Sequence, residues 1–227
     1  ANSGLKNNYL LSVKEDRMGN IWIGTENTGI AKISLTKYNN KIFLPDPHKT
    51  DYSDRTIRSI FEDKGNEDVW IGTKSGDVYV FDKDLKQKML FSLQQGAAYS
   101  ITPDTKGNIW IGTKGNGLVV IPKGKKNLNE CYSQLLSDDH KTGANNIYTI
   151  LCDSKGRMWV GTFGNGLYLY ELKNGELTGT RFPRISNRQK QVRCMIQDHS
   201  GLIWAGGENG VMVFHPDSLL VDDSQYS

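Results

Sequence analysis

The sequence predicts an all-β fold, a β-propeller built from four-stranded antiparallel blades. The first observation is a repeat: one segment, Asn108-Ile-Trp-Ile-Gly-Thr113, occurs five times with small changes in the 227 residues. The second is its period, because the five tryptophans are 48, 40, 49 and 45 residues apart, at Trp22, Trp70, Trp110, Trp159 and Trp204. A period of this length is typical of a propeller blade or of a pair of helices. The third is composition, since short runs rich in Val, Ile, Tyr and Trp, bounded by Gly, Asn and Asp, favour strands over helices.

Each copy predicts three strands directly. The first ends on an aspartate before the tryptophan, the second contains the tryptophan, and the third follows a glycine. A fourth strand is expected in the variable spacer, at Lys41 to Leu44, at Cys131 to Leu136 and, in the last copy, at Ser218 to Val221. These strands define one propeller domain over residues 1–227, with blades at 5–44, 56–93, 97–136, 146–183 and 191–227.

The number of blades leaves two possibilities. Propellers have about four to eight blades, so five could close a compact ring. The repeat begins and ends in phase with the chain, which favours five blades of a larger, seven-bladed propeller.

The tryptophan strands are apolar on both faces, as Ile109, Trp110 and Ile111 show. Such a strand must be covered on both sides, and blade-on-blade packing covers it. We therefore expect the five tryptophans to be core residues, with carbohydrate-stacking platforms as the alternative.

The turn before each tryptophan strand has an aspartate followed by a glycine, as in Asp153-Ser-Lys-Gly156. An aspartate there can accept hydrogen bonds from amides two residues on. A calcium loop is the alternative, but each turn offers one carboxylate where calcium needs several oxygen ligands. No metal site and no cofactor are predicted.

Composition excludes several classes of function. The 28 lysines and arginines nearly balance 25 aspartates and glutamates, so the dense basic face of a nucleic-acid-binding protein is not expected. No apolar run reaches the length of a membrane span, and the N-terminal residues do not resemble a signal peptide. Cys131, Cys152 and Cys194 predict no disulfide framework, and inert core thiols are expected for Cys152 and Cys194 because both lie in first strands.

The candidate ligand site comes from one variable position. Aliphatic residues or methionine stand nine and twelve residues before most of the tryptophans, whereas the residue eleven before varies. It is Leu11, Tyr99, Tyr148 or Arg193, and Arg58 in the second copy, whose turn is longer. The first strand of a propeller blade lines the central channel, so these side chains are candidates to face a ligand.

Loops expected at the same end of the channel contribute further candidates, which are Arg55, Asn145, Asn146, Phe163, Asn165 and Lys190. Arginine, tyrosine and asparagine suit a sugar acid or a sulfated glycan, through bidentate hydrogen bonds and ring stacking. Filling of the channel or solvation of a face explains the same residues equally well.

The repeat also resembles a known family. The pattern Asp-x-x-Gly-Asn-Ile-Trp-Ile-Gly-Thr, followed by Gly-Asn-Gly-Leu, resembles the two-component regulator propeller repeat. Asp104 to Leu118 and Asp153 to Leu167 match most closely, the second copy departs in its turn, and the fifth has Gly207 in place of threonine.

The resemblance implies a function. Such repeats are typical of the periplasmic sensor region of hybrid two-component systems, where two seven-bladed propellers precede an immunoglobulin-like domain, a membrane helix, a histidine kinase and a response regulator. It implies a non-catalytic sensor module that binds an oligosaccharide, packs against the remaining blades, forms a homodimer and meets the membrane only through downstream parts.

Two other functions stay open. One is a propeller glycosidase or polysaccharide lyase, which needs paired carboxylates or a base with charge-neutralising partners at the channel. No acidic residue occupies the variable first-strand position, which counts against it. The other is a protein-interaction scaffold without a small ligand.

Overall fold

The computed structural model describes residues 9–33, 41–93, 96–137 and 143–224. The chain divides into two compact units, Ala1–Ile101 and Thr102–Ser227. The described residues form five antiparallel sheets, which are the blades of an all-β propeller fold. The predicted fold class is therefore confirmed, while residues 5–8, 34–40 and 225–227 of the predicted blades lie outside the described residues.

The blades follow one another along the chain. Blade one contains β1 (Leu10–Glu15), β2 (Ile21–Thr25), β3 (Ile30–Ile33) and β4 (Lys41–Phe43). Blade two contains β5 (Ile57–Asp63), β6 (Asp68–Thr73), β7 (Asp77–Phe81) and β8 (Gln87–Ser92). Blade three contains β9 (Ala98–Pro103), β10 (Ile109–Thr113), β11 (Leu118–Ile121) and β12 (Tyr132–Gln134).

The last two blades differ in their outer edge. Blade four contains β13 (Ile147–Cys152), β14 (Met158–Thr162), β15 (Leu167–Lys173) and β16 (Glu176–Arg181). Blade five has three strands in the part of the chain that the structure describes, β17 (Val192–Gln197), β18 (Ile203–Gly207) and β19 (Gly210–Phe214). The helices are α1 (Tyr52–Arg55), α2 (Pro183–Ser186) and α3 (Pro216–Ser224), with a 3-10 turn at Leu128–Glu130.

The fourth strands expected near Lys41 and near Cys131 are confirmed as β4 and β12. The strand predicted at Ser218 to Val221 is wrong, because these residues belong to α3. Proline suits the first turn of a helix, and a carboxylate there is favoured by the helix dipole; Pro216 and Asp217 supply both. Leu219 and Leu220 then pack against the buried cluster around Trp159.

Blades one, three and four bury their tryptophans against the next blade. In the first unit, Trp22 packs with Ile57 and Ile71 of blade two. In the second unit, Trp110 packs with residues of blade four, and Trp159 packs with Val192 and Met195 of blade five. The predicted core position is confirmed for Trp22, Trp70, Trp110 and Trp159.

The glycine two residues after each tryptophan makes this contact possible. A Cβ on Gly112 would lie 2.4 Å from Cγ2 of Ile147, and one on Gly161 would lie 2.6 Å from Cγ1 of Val192. Since both partners open the first strand of the following blade, the glycine is the point of closest approach between blades.

The last copy breaks this pattern. Trp204 is 42% exposed, because no later blade covers it within the described residues. Cys194 is also exposed on blade five. The predictions of a buried Trp204 and of an inert core thiol at Cys194 are therefore wrong.

The aspartates of the turns accept the predicted backbone hydrogen bonds and also a hydrogen bond from the tryptophan indole. Their Oδ1 atoms accept hydrogen bonds of 2.9 Å from the amide two residues on, at Asp16, Asp104, Asp153 and Asp198. Their Oδ2 atoms accept from the tryptophan indole, at 2.9, 3.0, 2.9 and 2.7 Å respectively. Each of these carboxylates therefore joins its turn to the tryptophan strand that follows it, and at Asp16, Asp104 and Asp153 that tryptophan belongs to the core. Among the described residues, no group of three His, Cys, Asp or Glu side chains could hold a metal ion.

Candidate functional site

The variable first-strand residue is a β-bulge. Pairing of the first strand with the second shifts register between Leu10 and Ser12, between Ile57 and Ser59, between Ile147 and Thr149 and between Val192 and Cys194. The residues skipped by these shifts are Leu11, Arg58, Tyr148 and Arg193. A bulge leaves one residue out of the ladder and re-aims its side chain, so the fold sets this position apart.

In the second unit, three of the predicted site residues come together. The rings of Tyr148 and Phe163 have centroids 5.3 Å apart and are tilted by 32°. Cζ of Arg193 lies 5.9 Å from the centroid of Tyr148 and 5.6 Å from that of Phe163. We call Tyr148, Phe163 and Arg193 the arginine–aromatic cluster. A guanidinium within about 6 Å of an aromatic face is held by cation–π attraction.

Two further contacts hold the cluster in place. Nη2 of Arg193 donates a 2.8 Å hydrogen bond to Oε1 of Gln191. The amide of Phe163 donates to the carbonyl of Asn146 at 2.8 Å. Arg193 is exposed, and no carboxylate of the described residues forms an ion pair with it. The guanidinium is thus oriented and accessible from solvent.

The first unit contains a related pair. Cζ of Arg58 lies 5.4 Å from the ring centroid of Tyr99. Its Nε is buried and has no hydrogen-bond partner within the described residues. The arginine and the tyrosine belong to consecutive blades, as they do in the arginine–aromatic cluster.

The loop residues that precede the first strands form backbone hydrogen bonds with the preceding blade. The carbonyls of Arg55, Asn145 and Lys190 accept hydrogen bonds from the amides of Gly29, Gly117 and Gly166, at 3.2, 3.1 and 2.9 Å. Each of these glycines immediately precedes the third strand of the preceding blade. This role cannot be predicted from the sequence, because every residue type carries the same backbone carbonyl.

The side chains of two loop residues, Asn145 and Arg55, also form hydrogen bonds within the protein. Asn145 is buried, accepts from the amides of Leu136 and Ser137, and donates to the carbonyl of Ser137 at 2.6 Å. Nε of Arg55 donates to the carbonyl of Lys49 at 3.0 Å.

The side chains of Asn165 and Lys190 differ in their surroundings. Nδ2 of Asn165 donates to the hydroxyl of Tyr168 at 2.6 Å, whereas the side chain of Lys190 is exposed. The backbone carbonyls and side-chain carboxamides of the loops therefore support the fold. The arginine–aromatic cluster, with an exposed Arg193 and two half-buried rings, is the chemically distinct part of the candidate site.

No helix among the described residues is both long and apolar enough to cross a membrane.

Antiparallel four-stranded blades with a tryptophan repeat of this kind define the chain as a β-propeller protein. The family model of the two-component regulator propeller matches residues 4–27, 92–115 and 143–164. The resemblance inferred from the repeat is thus confirmed. A search among curated protein sequences found no match.

Solved structures share the fold. The extracellular domain of BT4673 from B. thetaiotaomicron, assigned to a hybrid two component system, is 24% identical with a TM-score of 0.63, over 93% of this chain and 28% of that one. PorZ, a surface component of the type-IX secretion system of Porphyromonas gingivalis, is 16% identical with a TM-score of 0.64, over 95% and 33%. The Cps50 (Swd1) propeller of Myceliophteria thermophila is 10% identical with a TM-score of 0.66, over 93% and 72%.

The TM-scores of 0.63, 0.64 and 0.66 show a common fold. The present chain spans about a third or less of the length of the two bacterial relatives.

Proposed function

We propose that this chain is a non-catalytic part of the sensor region of a two-component regulator and that it binds an acidic, glycan-derived ligand at the arginine–aromatic cluster. The observation that supports it most is the exposed guanidinium of Arg193, held against two aromatic rings at a β-bulge. The match to the two-component regulator propeller family supports the sensor role.

The chemistry of the cluster fits such a ligand. A guanidinium offers five N–H donors in a planar fork that matches a carboxylate or a sulfate. Aromatic faces such as those of Tyr148 and Phe163 provide apolar area for the C–H face of a sugar ring. Because the rings already orient Arg193, less side-chain entropy is lost on binding.

Calorimetry tests the proposal. We expect heat of binding from uronic-acid or sulfated oligosaccharides and none from their neutral counterparts. Arg193→Ala should weaken binding at least tenfold, as expected for the loss of a charge-assisted pair of about 1.5–3 kcal/mol. Arg188→Ala is the matched control, since Arg188 is an exposed arginine outside the cluster. Unchanged affinity in Arg193→Ala, or release of cleaved sugar, would overturn the proposal.

We also propose that further blades of the same repeat cover the two exposed apolar blade faces. On blade five, Ile196, Trp204 and Val213 form one cross-strand row, and all three are exposed. On blade one, Leu10 and Val13 are exposed, while the equivalent Ile147 and Ile150 of blade four are buried.

Thiol labelling tests this coverage. Cys194 is exposed on blade five, whereas Cys152 packs against the core and burial raises the pKa of its thiol. In a chain extended by its native flanking sequence, Cys194 should react much more slowly with a thiol reagent than in residues 1–227 alone. Equal rates in the two chains would show that the face stays open.

Dimerisation and a periplasmic location complete the proposal. The location is supported by the family match and by the extracellular origin of the BT4673 domain. Dimerisation is an expectation from the resemblance of the repeat to sensor regions of hybrid two-component systems. Sedimentation velocity of the extended chain should show a dimer, and a reporter that is active only after export should be active when fused to it. A monomer, or a reporter active only in the cytoplasm, would refute the respective part.

A further inference from the structure

The first unit carries different side chains at the three repeat positions that form the arginine–aromatic cluster in the second unit. The first position is the second residue of a first strand, where the ladder bulges. The next directly follows the second strand, and its amide donates to the carbonyl just before the first strand, at 2.8 Å in both units. The last is the second residue of the first strand in the following blade. These positions hold Tyr148, Phe163 and Arg193 in the second unit, and Arg58, Lys74 and Tyr99 in the first.

The change of side chains doubles the positive charge at these positions. One guanidinium and two rings are replaced by a guanidinium, an ammonium and one ring, and α1 adds a further ring, that of Tyr52. Cζ of Arg58 lies 5.4 Å from the ring centroid of Tyr99, and Nζ of Lys74 lies 4.5 Å from that of Tyr52. We call these four residues the two-cation cluster.

Both cations are half-buried, and none of the ion pairs among the described residues includes Arg58 or Lys74. Nε of Arg58 is buried and has no hydrogen-bond partner within the same part of the chain. A charged group that loses water without gaining a partner costs free energy. An anion bound to the guanidinium would offset that cost.

One carboxylate, that of Glu26, lies beside the two-cation cluster. A hydrogen bond to Glu26 raises the pKa of the Tyr52 hydroxyl, whereas the positive charge of Arg58 acts on the same pKa in the opposite direction. Arg58 is therefore close enough to influence Tyr52, the ring over which Lys74 lies. The charges of Arg58 and Lys74 exceed that of Glu26, so these groups together remain positive.

We propose that the two-cation cluster binds the sulfate or phosphate ester group of a sugar. Such a group presents three acceptor oxygens, so the guanidinium of Arg58 and the ammonium of Lys74 can each bind a different one. The rings of Tyr52 and Tyr99 offer apolar faces to the attached sugar. The site uses no residue of the arginine–aromatic cluster, and it does not depend on the proposed function.

An NMR titration of the unmodified chain tests the proposal, with the nitrogen–proton signal of Arg58 Nε as the readout of this site. The ester probes are D-glucose-6-sulfate and D-glucose-6-phosphate, and D-glucuronate and D-glucose are the carboxylate and neutral probes. The Arg58 signal should shift and saturate with at least one ester, and the ester that binds more tightly identifies the preferred group. The proposal is overturned if neither ester moves the signal, or if D-glucuronate or D-glucose binds as tightly as the esters.

Variants test the part played by the second cation. Lys74→Ala should weaken ester binding at the Arg58 signal about tenfold, as expected for the loss of a hydrogen bond to a charged group. Lys32→Ala is the matched control, because Nζ of Lys32 also lies over a ring, 5.1 Å from the centroid of Trp22, but outside the cluster. Arg193→Ala should leave the Arg58 titration unchanged, which separates this site from the one in the proposed function. Equal losses in Lys74→Ala and Lys32→Ala, or no loss in Lys74→Ala, would overturn the proposal.

Discussion

The carboxylate of Asp153 accepts a 2.9 Å hydrogen bond from the indole Nε1 of Trp159. It also accepts from the amides of Lys155 and Arg157, at 2.9 Å each. One buried side chain therefore joins a turn, a strand and the core. In blade two the turn is one residue longer, so that Asp63 stands seven residues before Trp70. The indole nitrogen of Trp70 is buried there and has no hydrogen-bond partner among the described residues.

Replacing Asp153 by asparagine should destabilise the chain by about 1.5–3 kcal/mol, the value of hydrogen bonds to a charged group. Asp63→Asn is the matched control, because Asp63 holds only its own turn, through Gly65 and Asn66. Its expected cost is below about 1 kcal/mol. Urea unfolding of both variants measures the difference, and equal costs would contradict the role of the indole bond.

Stability should fall in acid in a way that depends on Asp153. Burial raises the pKa of Asp153, but hydrogen bonds from Trp159 and Arg157 outweigh it and leave the pKa below 3.8. The unfolded chain therefore takes up the proton first, and the stabilisation is present above pH 3.8 and lost as pH falls below it. The gap in unfolding free energy between the unmodified chain and Asp153→Asn should narrow from pH 6 to pH 3. A constant gap would contradict it.

Gly161→Ala should destabilise the contact between blades four and five. The added Cβ would lie 2.6 Å from Cγ1 of Val192 and 2.7 Å from Cγ2 of Thr149, and overpacking costs about 1–3 kcal/mol. Gly206→Ala is the equivalent change in blade five, where Sγ of Cys194, at 2.8 Å, is the only neighbour of the added Cβ among the described residues. Thermal unfolding should show a clearly smaller decrease in Tm for Gly206→Ala than for Gly161→Ala. The opposite order of the two decreases would contradict the prediction.

Restoring the threonine of the repeat at position 207 should also be harmful. In the other blades its hydroxyl donates to the carbonyl four residues on, as Thr162 does to Gly166 at 3.0 Å. In blade five, Gln189 takes over by donating to the carbonyl of Gly210 at 3.1 Å. A Cβ at Gly207 would lie 1.8 Å from the carbonyl oxygen of Gln191.

Gly207→Thr should therefore cost about 1–3 kcal/mol by overpacking, measured by urea unfolding. Gly210→Ala is not a suitable control, because Gly210 has a φ of +92°. Gly206→Ala serves instead, as a neighbouring glycine without a positive φ. An unchanged or higher stability of Gly207→Thr would show that the Gln189 contact is dispensable.

Trp159 and Trp204 should contribute differently to the free energy of unfolding. Trp159→Ala removes a fully buried ring and should cost about 3–5 kcal/mol, whereas Trp204→Ala removes a ring that is 42% exposed and should cost clearly less. Chemical denaturation of residues 1–227 compares them directly. Similar losses would mean that Trp204 is covered in solution.

The repeat allowed most of the strands to be predicted, because burial on both faces leaves a continuous apolar run around each tryptophan. It did not predict α3. There the preference of Pro216 for a first helical turn and the packing of Leu219 on the Trp159 cluster outweigh the blade pattern. The spacer at this point has no repeat signal to compare.

The candidate site was predictable as a position but not as a geometry. Ile147 and Ile150 both face the core although they are three residues apart in one strand, and a strand of period two allows this only with a bulge. That spacing was the available signal for the re-aimed Tyr148. The stacking of Arg193 on Phe163 depends on how neighbouring blades pack, which no local pattern encodes.

The contact of each tryptophan with the following blade has a consequence for synthesis. A chain made from its N-terminus folds in that order. Trp22 therefore stays exposed to solvent until Ile57 has left the ribosome, and Trp159 stays exposed until Val192 has left it. The most recently synthesised blade of the growing protein therefore exposes an apolar indole. A pause in translation between two blades prolongs this exposure, and a chaperone is most useful then.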